Sequence, residues 1–304
     1  MPRDLPLGNG KLLVAFDRDY QLREVFYPHV GAENHTHGNP SRLGVWVDGQ
    51  FSWMGPEWEK TLGYEDETMV TRVVAKQSRL ALELTFRDTV DFYETILVRR
   101  IAVKNLLPRQ REVRIFFHHD FSISGNDVGD TAFYGPNQRC VIHYKGPRYF
   151  WMNCDVNGRR GVDQFACGTK GQGKEGTWRD AEDGILGRNP IAQGAVDSCI
   201  GITIPLQENG EAVAYYWMSI GQSFEEVNTL NNIVCDKGPG EIIRLTANYW
   251  RLWVNKENMN FGALSPSIVA AHKRSLIVLR TQIDHAGGIV AANDSTSDLR
   301  ARHP

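Results

Sequence analysis

Glu175, Asp180, Glu182 and Asp183 crowd around one indole, Trp178. Paired carboxylates, one protonated and one ionised, hydrolyse glycosidic bonds. Those two groups must face each other across a sugar, and closeness along the chain does not give that. The ordinary reading of such a charge run is a solvated loop. Just upstream, Gly168-Thr169-Lys170-Gly171-Gln172-Gly173-Lys174 matches most of a phosphate-binding loop. Glu175 stands where Ser or Thr would hold magnesium, and a carboxylate there repels phosphate. No amphipathic helix follows, so the segment reads as a loop.

Imidazoles form two groups: His29, His35 and His37, then His118-His119-Asp120. Imidazole and carboxylate ligate metals. Neighbours on a strand point to opposite faces, so His118 and His119 cannot both reach one ion without a bulge. No metal or cofactor is expected. Cys140, Cys154, Cys167, Cys199 and Cys235 are odd in number and lack CxxC spacing. They read as buried free thiols rather than a disulfide framework or zinc site. The eight tryptophans sit mostly in strand or helix patterns where burial is expected, with one or two free to touch a carbohydrate.

The elements that must position these residues are mainly strands. Residues 12–16 and 22–27 flank the polar Asp17-Arg18-Asp19, a hairpin signal. Residues 43–47 and 50–53 flank Asp48-Gly49, a pair suited to a type I′ turn because both central residues need positive φ. Longer runs cover 69–75, 80–86, 93–103 and 112–121. Leucine recurs at every second position from Leu80 to Leu84. Residues 140–144 and 149–153 pair across a Lys-Gly-Pro-Arg turn, and 199–204 and 212–220 are joined by 207–210. Many closely spaced strands without interleaved helices predict a large antiparallel β-sandwich of two wide sheets.

The pattern changes after Gly221. Ser223 and Glu226 form a capping box, followed by Val227, Leu230 and Val234 at helical spacing. A second helix is predicted over 241–254 and a third over 265–283, opened by Ser265-Pro266.

The chain has 304 residues and a formal net charge of −2, so no broad electrostatic case exists for nucleic acid or an anionic membrane. No apolar run is long enough to span a bilayer, and no secretory leader opens the sequence, which implies a cytoplasmic protein.

Several stretches resemble one family. Residues 3–36, RDLPLGNGKLLVAFDRDYQLREVFYPHVGAENHT, and 42–53, RLGVWVDGQFSW, resemble the start of prokaryotic family 15 glycoside hydrolases, the glucoamylases, glucodextranases and some trehalases. Residues 176–198, GTWRDAEDGILGRNPIAQGAVDS, resemble a later segment of the same domain, and 287–295, GGIVAANDS, resemble the start of its catalytic domain. The resemblance implies an N-terminal supersandwich over 1–221, a helical linker over 222–260, and over 261–304 the first helix of a truncated (α/α)6 barrel. The barrel hydrolyses α-glucosidic bonds with inversion, one glutamate protonating the leaving oxygen and another activating water.

The resemblance breaks after Ser295, where a sugar-binding Trp-Pro-Arg-Asp-type segment should follow. That break implies a frameshift, a premature stop or a truncated gene model, and a chain inactive alone. No catalytic residue carries over. Tyr27, His29, Asn34 and His35, with Trp178, Arg179 and Asp180, become candidates for a barrel-facing or substrate-proximal surface, because loops near active sites carry such residues. They equally serve to shape turns. The implied ligand is an α-glucan or α-glucoside of the intact parent enzyme, and the implied contact is self-association through exposed helices. The alternative is a stand-alone carbohydrate-binding or scaffold module.

Overall fold

Leu82, Leu84 and Phe86 turn one face of strand Leu82–Val90 fully inward, while Glu83, Thr85 and Arg87 stay half-buried. The same period-2 logic builds most of the molecule. A computed structural model describes residues 5–171, 176–257 and 259–290. The expectations placed on residues 172–175 and 291–304 lie outside the described residues; these include Lys174, Glu175 and the break after Ser295.

The chain is mainly β, in large antiparallel sheets. A ten-stranded sheet faces a five-stranded one, and a three-stranded sheet of Leu5–Gly8, Leu13–Phe16 and Leu22–Phe26 extends the layer. One apolar core runs between them. Val113, Ile115 and Phe117 come from the smaller sheet, Leu84, Ile101, Val103 and Met218 from the larger. Each such buried side chain contributes roughly 1.5–3 kcal/mol relative to exposure. At the Asp48-Gly49 turn both residues take positive φ, 52° and 76°, as a type I′ turn requires.

Two connections differ from simple hairpins. Strand Val196–Leu206 lies in the small sheet and Glu211–Gly221 in the large one, so residues 207–210 form a corner between layers. The link from Ile96–Asn105 to Arg111–His119 crosses the same way. Asn105 ties both corners, its Nδ2 donating to the Arg109 carbonyl at 2.7 Å and the Gln207 carbonyl at 2.9 Å.

Helix Phe224–Lys237 is capped by Ser223, whose Oγ accepts the Glu226 amide at 3.1 Å. The Glu226 carboxylate returns to the Gln222 amide at 2.7 Å, one residue earlier than the usual box. Helix Pro239–Val254 follows directly, with Pro239 in its first turn. Both cover the outer face of the large sheet. Ile96, Val98 and Trp217 are buried there against Leu230, Val234, Ile242 and Ile243. Strand Ile96–Asn105 is thus covered on both faces, which is why its sequence alternates so poorly.

Of the helices expected to be exposed and to drive self-association, Pro239–Val254 is not free to do so with its apolar face: Ile242, Ile243, Ala247, Trp250 and Val254 are buried, and the sheet is their partner. Helix Pro266–Thr281 differs. It runs beside strand Leu5–Gly8, with Ile277 and Thr281 buried and Ile268 and Leu279 each 52% exposed. Among the described residues no helix is long and apolar enough to cross a membrane.

Candidate functional site

Antiparallel register decides which loops share an end. In the small sheet Leu43 lies opposite Phe117, His119 opposite Ser198, and Thr169 opposite Val196. In the large sheet Asp130 lies opposite Gly194, Lys145 opposite Arg148, Tyr149 opposite Gly221, and Val90 opposite Leu97. The loops leaving these strand ends therefore emerge together, and hydrogen bonds bind them into one ridge. The Ser122 amide donates to the His35 carbonyl at 2.7 Å, Asn39 donates to Asp120 at 3.2 Å, and Lys170 donates to the Phe121 carbonyl at 2.7 Å. The two groups of candidate residues, some 140 positions apart in sequence, are brought to this end by topology.

The first group lies on the turn after Phe26. His35 is fully buried; its Nε2 donates to the Tyr27 carbonyl at 2.7 Å and its Nδ1 accepts the Ser124 amide at 3.1 Å. Burial lowers its pKa, so the ring is neutral with both nitrogens occupied, leaving no lone pair for a metal. The Asn34 Oδ1 accepts the Val25 and Thr36 amides at 3.3 and 3.2 Å, holding the turn. Tyr27 is buried beneath Arg148, and burial together with Glu226 pushes its pKa up to about 12. His29 is the outward member, its Nδ1 lying 3.4 Å from Asp284 Oδ1. The Val30 amide donates to the same carboxylate at 2.8 Å. The turn thus grips the segment that follows helix Pro266–Thr281. Gly31, at φ 81°, lets Val290 approach so closely that a Cβ would sit 2.2 Å from it.

The second group lies on the loop across the outer face of the small sheet. Trp178 meets Trp53 edge to face at 6.4 Å, with Arg42 and Arg179 at 5.0 and 4.8 Å from its ring. Arg179 and Asp180 are exposed. Asp180 accepts the Gly187 amide at 2.6 Å and Asp183 the Ile185 amide at 2.8 Å, so these carboxylates stitch their own loop. Glu182 reaches further and accepts the Trp53 indole N–H at 3.3 Å.

Beside Trp178, along edge strand Gln50–Trp53, runs a cleft of about 540 Å³ lined by Arg42, Phe51, Trp53, Glu57, Arg79 and Glu182, among others. The Phe51 and Trp53 rings of its wall lie directly over Gly44, where a Cβ would fall 2.4 Å from Phe51 and 2.9 Å from Trp53. Sequence reasoning assigned no role to Arg42, because a single arginine before a strand carries no signal.

The remaining motifs resolve locally. Gly168 and Thr169 lie in strand Gln164–Thr169, and a Cβ on Gly168 would sit 3.1 Å from Asp197, an acidic neighbour unsuited to phosphate. His118 and His119 do face opposite sides. His118 lies 3.1 Å from Asp197. His119 turns inward, 3.2 Å from Ser198 Oγ and 2.9 Å from the Tyr216 hydroxyl. His143 joins Ser198 from the other side at 2.7 Å. Burial drives the pKa of His119 well down and that of His143 to about 3. Ser198 has no exposed surface, so this cluster is a neutral polar seam between the sheets and no nucleophile. Among the described residues no group of three or more His, Cys, Asp or Glu could hold a metal ion.

No family model matches the chain. Over 302 residues it is 27% identical to an uncharacterized glycosyl hydrolase of Methanocaldococcus jannaschii, covering 97% of this chain and 47% of that protein. The chain thus spans about half the length of this relative. A bacterial glucoamylase complexed with acarbose has the same fold, with TM-score 0.71 and 14% identity, over 91% of this chain and 40% of that one. The chain is therefore glycoside hydrolase-like, and its fold is that of part of a carbohydrate-active enzyme.

Proposed function

We propose that this chain is the sandwich and helical-linker portion of an inverting, family 15-type hydrolase of α-glucosidic bonds. The observation that supports it most is the glucoamylase-like fold over 91% of the chain, joined to family segments in the family's order. In this reading residues 1–221 form the sandwich, 222–260 the linker, and 261–304 the entry to a barrel that carries both catalytic glutamates. The ridge of His29, Asp284 and Val290 faces that barrel, and the half-exposed Ile268 and Leu279 of helix Pro266–Thr281 cover part of it or, without it, a second copy of the chain. Alone, the chain is inactive.

The Methanocaldococcus jannaschii relative, assayed intact on maltooligosaccharides, should release β-glucose, the inverted anomer, while this chain alone releases none. Hydrolysis by this chain alone, or retention of configuration by the intact relative, overturns the reading.

A further inference from the structure

We propose that the cleft along edge strand Gln50–Trp53 binds a neutral oligosaccharide. The strongest sign is Arg42. It is half-buried, its guanidinium lies 5.0 Å from the Trp178 ring, and among the described residues no hydrogen bond or ion pair engages its side chain. A guanidinium carries five N–H donors in a fixed fork, and half-buried arginines such as Arg87 and Arg148 are engaged, Arg87 with Glu65 and Arg148 with Glu33. Arg42 lines the cleft, its guanidinium beside Trp178 and in the field of Asp120 and Asp197 without pairing to either.

The chemistry of the lining selects the ligand class. Glu57 and Glu182 oppose an anion, and Arg42 and Arg79 oppose a cation. A purely apolar occupant would bury the Arg42 donors unpaired, a cost that protein sites avoid. A sugar satisfies all of it. Its hydroxyls accept from Arg42 and donate to Glu57 and Glu182, and its C–H face lies against the Trp53 ring. Trp53 is positioned for this: Phe51 at 4.9 Å and Trp178 at 6.4 Å hold it edge-on, and Glu182 takes its N–H. Gly44 beneath keeps the two rings seated on the strand. The volume of about 540 Å³ falls in the range of small-ligand sites, with a few placed polar groups on an aromatic wall.

The test titrates the chain with maltotetraose and, separately, cellotetraose, following tryptophan fluorescence. Arg42→Gln removes the charge and the fork; Arg42→Lys keeps the charge and removes only the fork. Thermal unfolding of each variant checks that it folds. A saturable response is expected with the unsubstituted chain, weakened about tenfold or more in Arg42→Gln and several-fold in Arg42→Lys. Response to either sugar that both substitutions weaken supports the site. Preference for cellotetraose would support it too, while counting against the α-glucosidic reading of the parent enzyme, so the two ideas fail separately. No response to either sugar, or a response that both folded variants retain in full, overturns the proposal.

Discussion

The Nε2 of His118 lies 3.1 Å from Asp197 Oδ2, and that same oxygen accepts the Thr177 amide at 2.7 Å. One carboxylate thereby fastens the loop bearing Trp178 to the small sheet. Burial alone would raise its pKa, but His118 and Thr177 outweigh burial and hold it below the usual carboxylate value. In Asp197→Asn a single carbonyl oxygen must replace the carboxylate. The expected loss is about 1.5–3 kcal/mol in denaturant unfolding, with faster hydrogen exchange at Thr177. Unchanged exchange at Thr177 would show that the loop is held by other contacts.

The neutral seam of His119, Ser198 and His143 should make stability fall in acid. His143 titrates at about 3 in the fold against an ordinary value of 6.5, so the unfolded chain takes up the proton first. The stability it contributes is complete above pH 6.5 and is lost as pH falls from 6.5 toward 3. Each such imidazole steepens the dependence by up to about 1.4 kcal/mol per pH unit. His143→Gln should flatten the curve over that window by about one proton, as read from urea melts at several pH values. An unaltered slope would mean that His143 is already charged in the fold.

Arg99 and Asp88 form a buried pair at 2.8 Å, with Tyr20 donating to the carboxylate at 2.6 Å. Phe16, Tyr20 and Phe86 ring the guanidinium at 4.8, 5.2 and 5.5 Å. Asp88→Ala leaves a buried charge unpaired and should cost about 3–5 kcal/mol. The double variant Arg99→Met with Asp88→Ala should recover much of that loss. Additive losses in the double-mutant cycle would contradict the pairing.

Helix Pro266–Thr281 should govern association. Ile268→Lys with Leu279→Lys places charge on two half-exposed positions and should shift the chain toward monomer in sedimentation velocity, with thermal stability changed by under about 0.5 kcal/mol. A large drop in stability would instead mean that these side chains support the fold.

Local chemistry was legible where it acts through neighbours in the chain. Asp48-Gly49, Ser223 with Glu226, and the Leu80–Leu84 alternation all declare their geometry within a few residues. The doubled coverage of Ile96 and Val98 was not legible, since helices more than 120 positions away supply it. The same holds for the site. Trp178 could be picked out by its acidic neighbours, but its partners, Arg42 just before strand Leu43–Val47 and Trp53 at the end of edge strand Gln50–Trp53, are placed beside it only by the folded register. His35 reads in sequence as a candidate for a barrel-facing or substrate-proximal surface because its two backbone partners, Tyr27 and Ser124, are invisible there.

Strand Glu211–Gly221 sits between Arg148–Val156 and Ile96–Asn105 in the large sheet, and among the described residues it is the last strand. During synthesis the large sheet therefore exists as two blocks, each with a raw edge, until that strand leaves the ribosome. Such edges invite pairing between nascent chains. The two helices that follow touch both blocks: Phe224–Lys237 lies on Arg148–Val156, and Pro239–Val254 lies on Leu82–Val90 and Ile96–Asn105. They act as a latch thrown across the seam as soon as it closes. A nascent chain stalled before Gly221 should be a client for chaperones, and one stalled after Val254 should not.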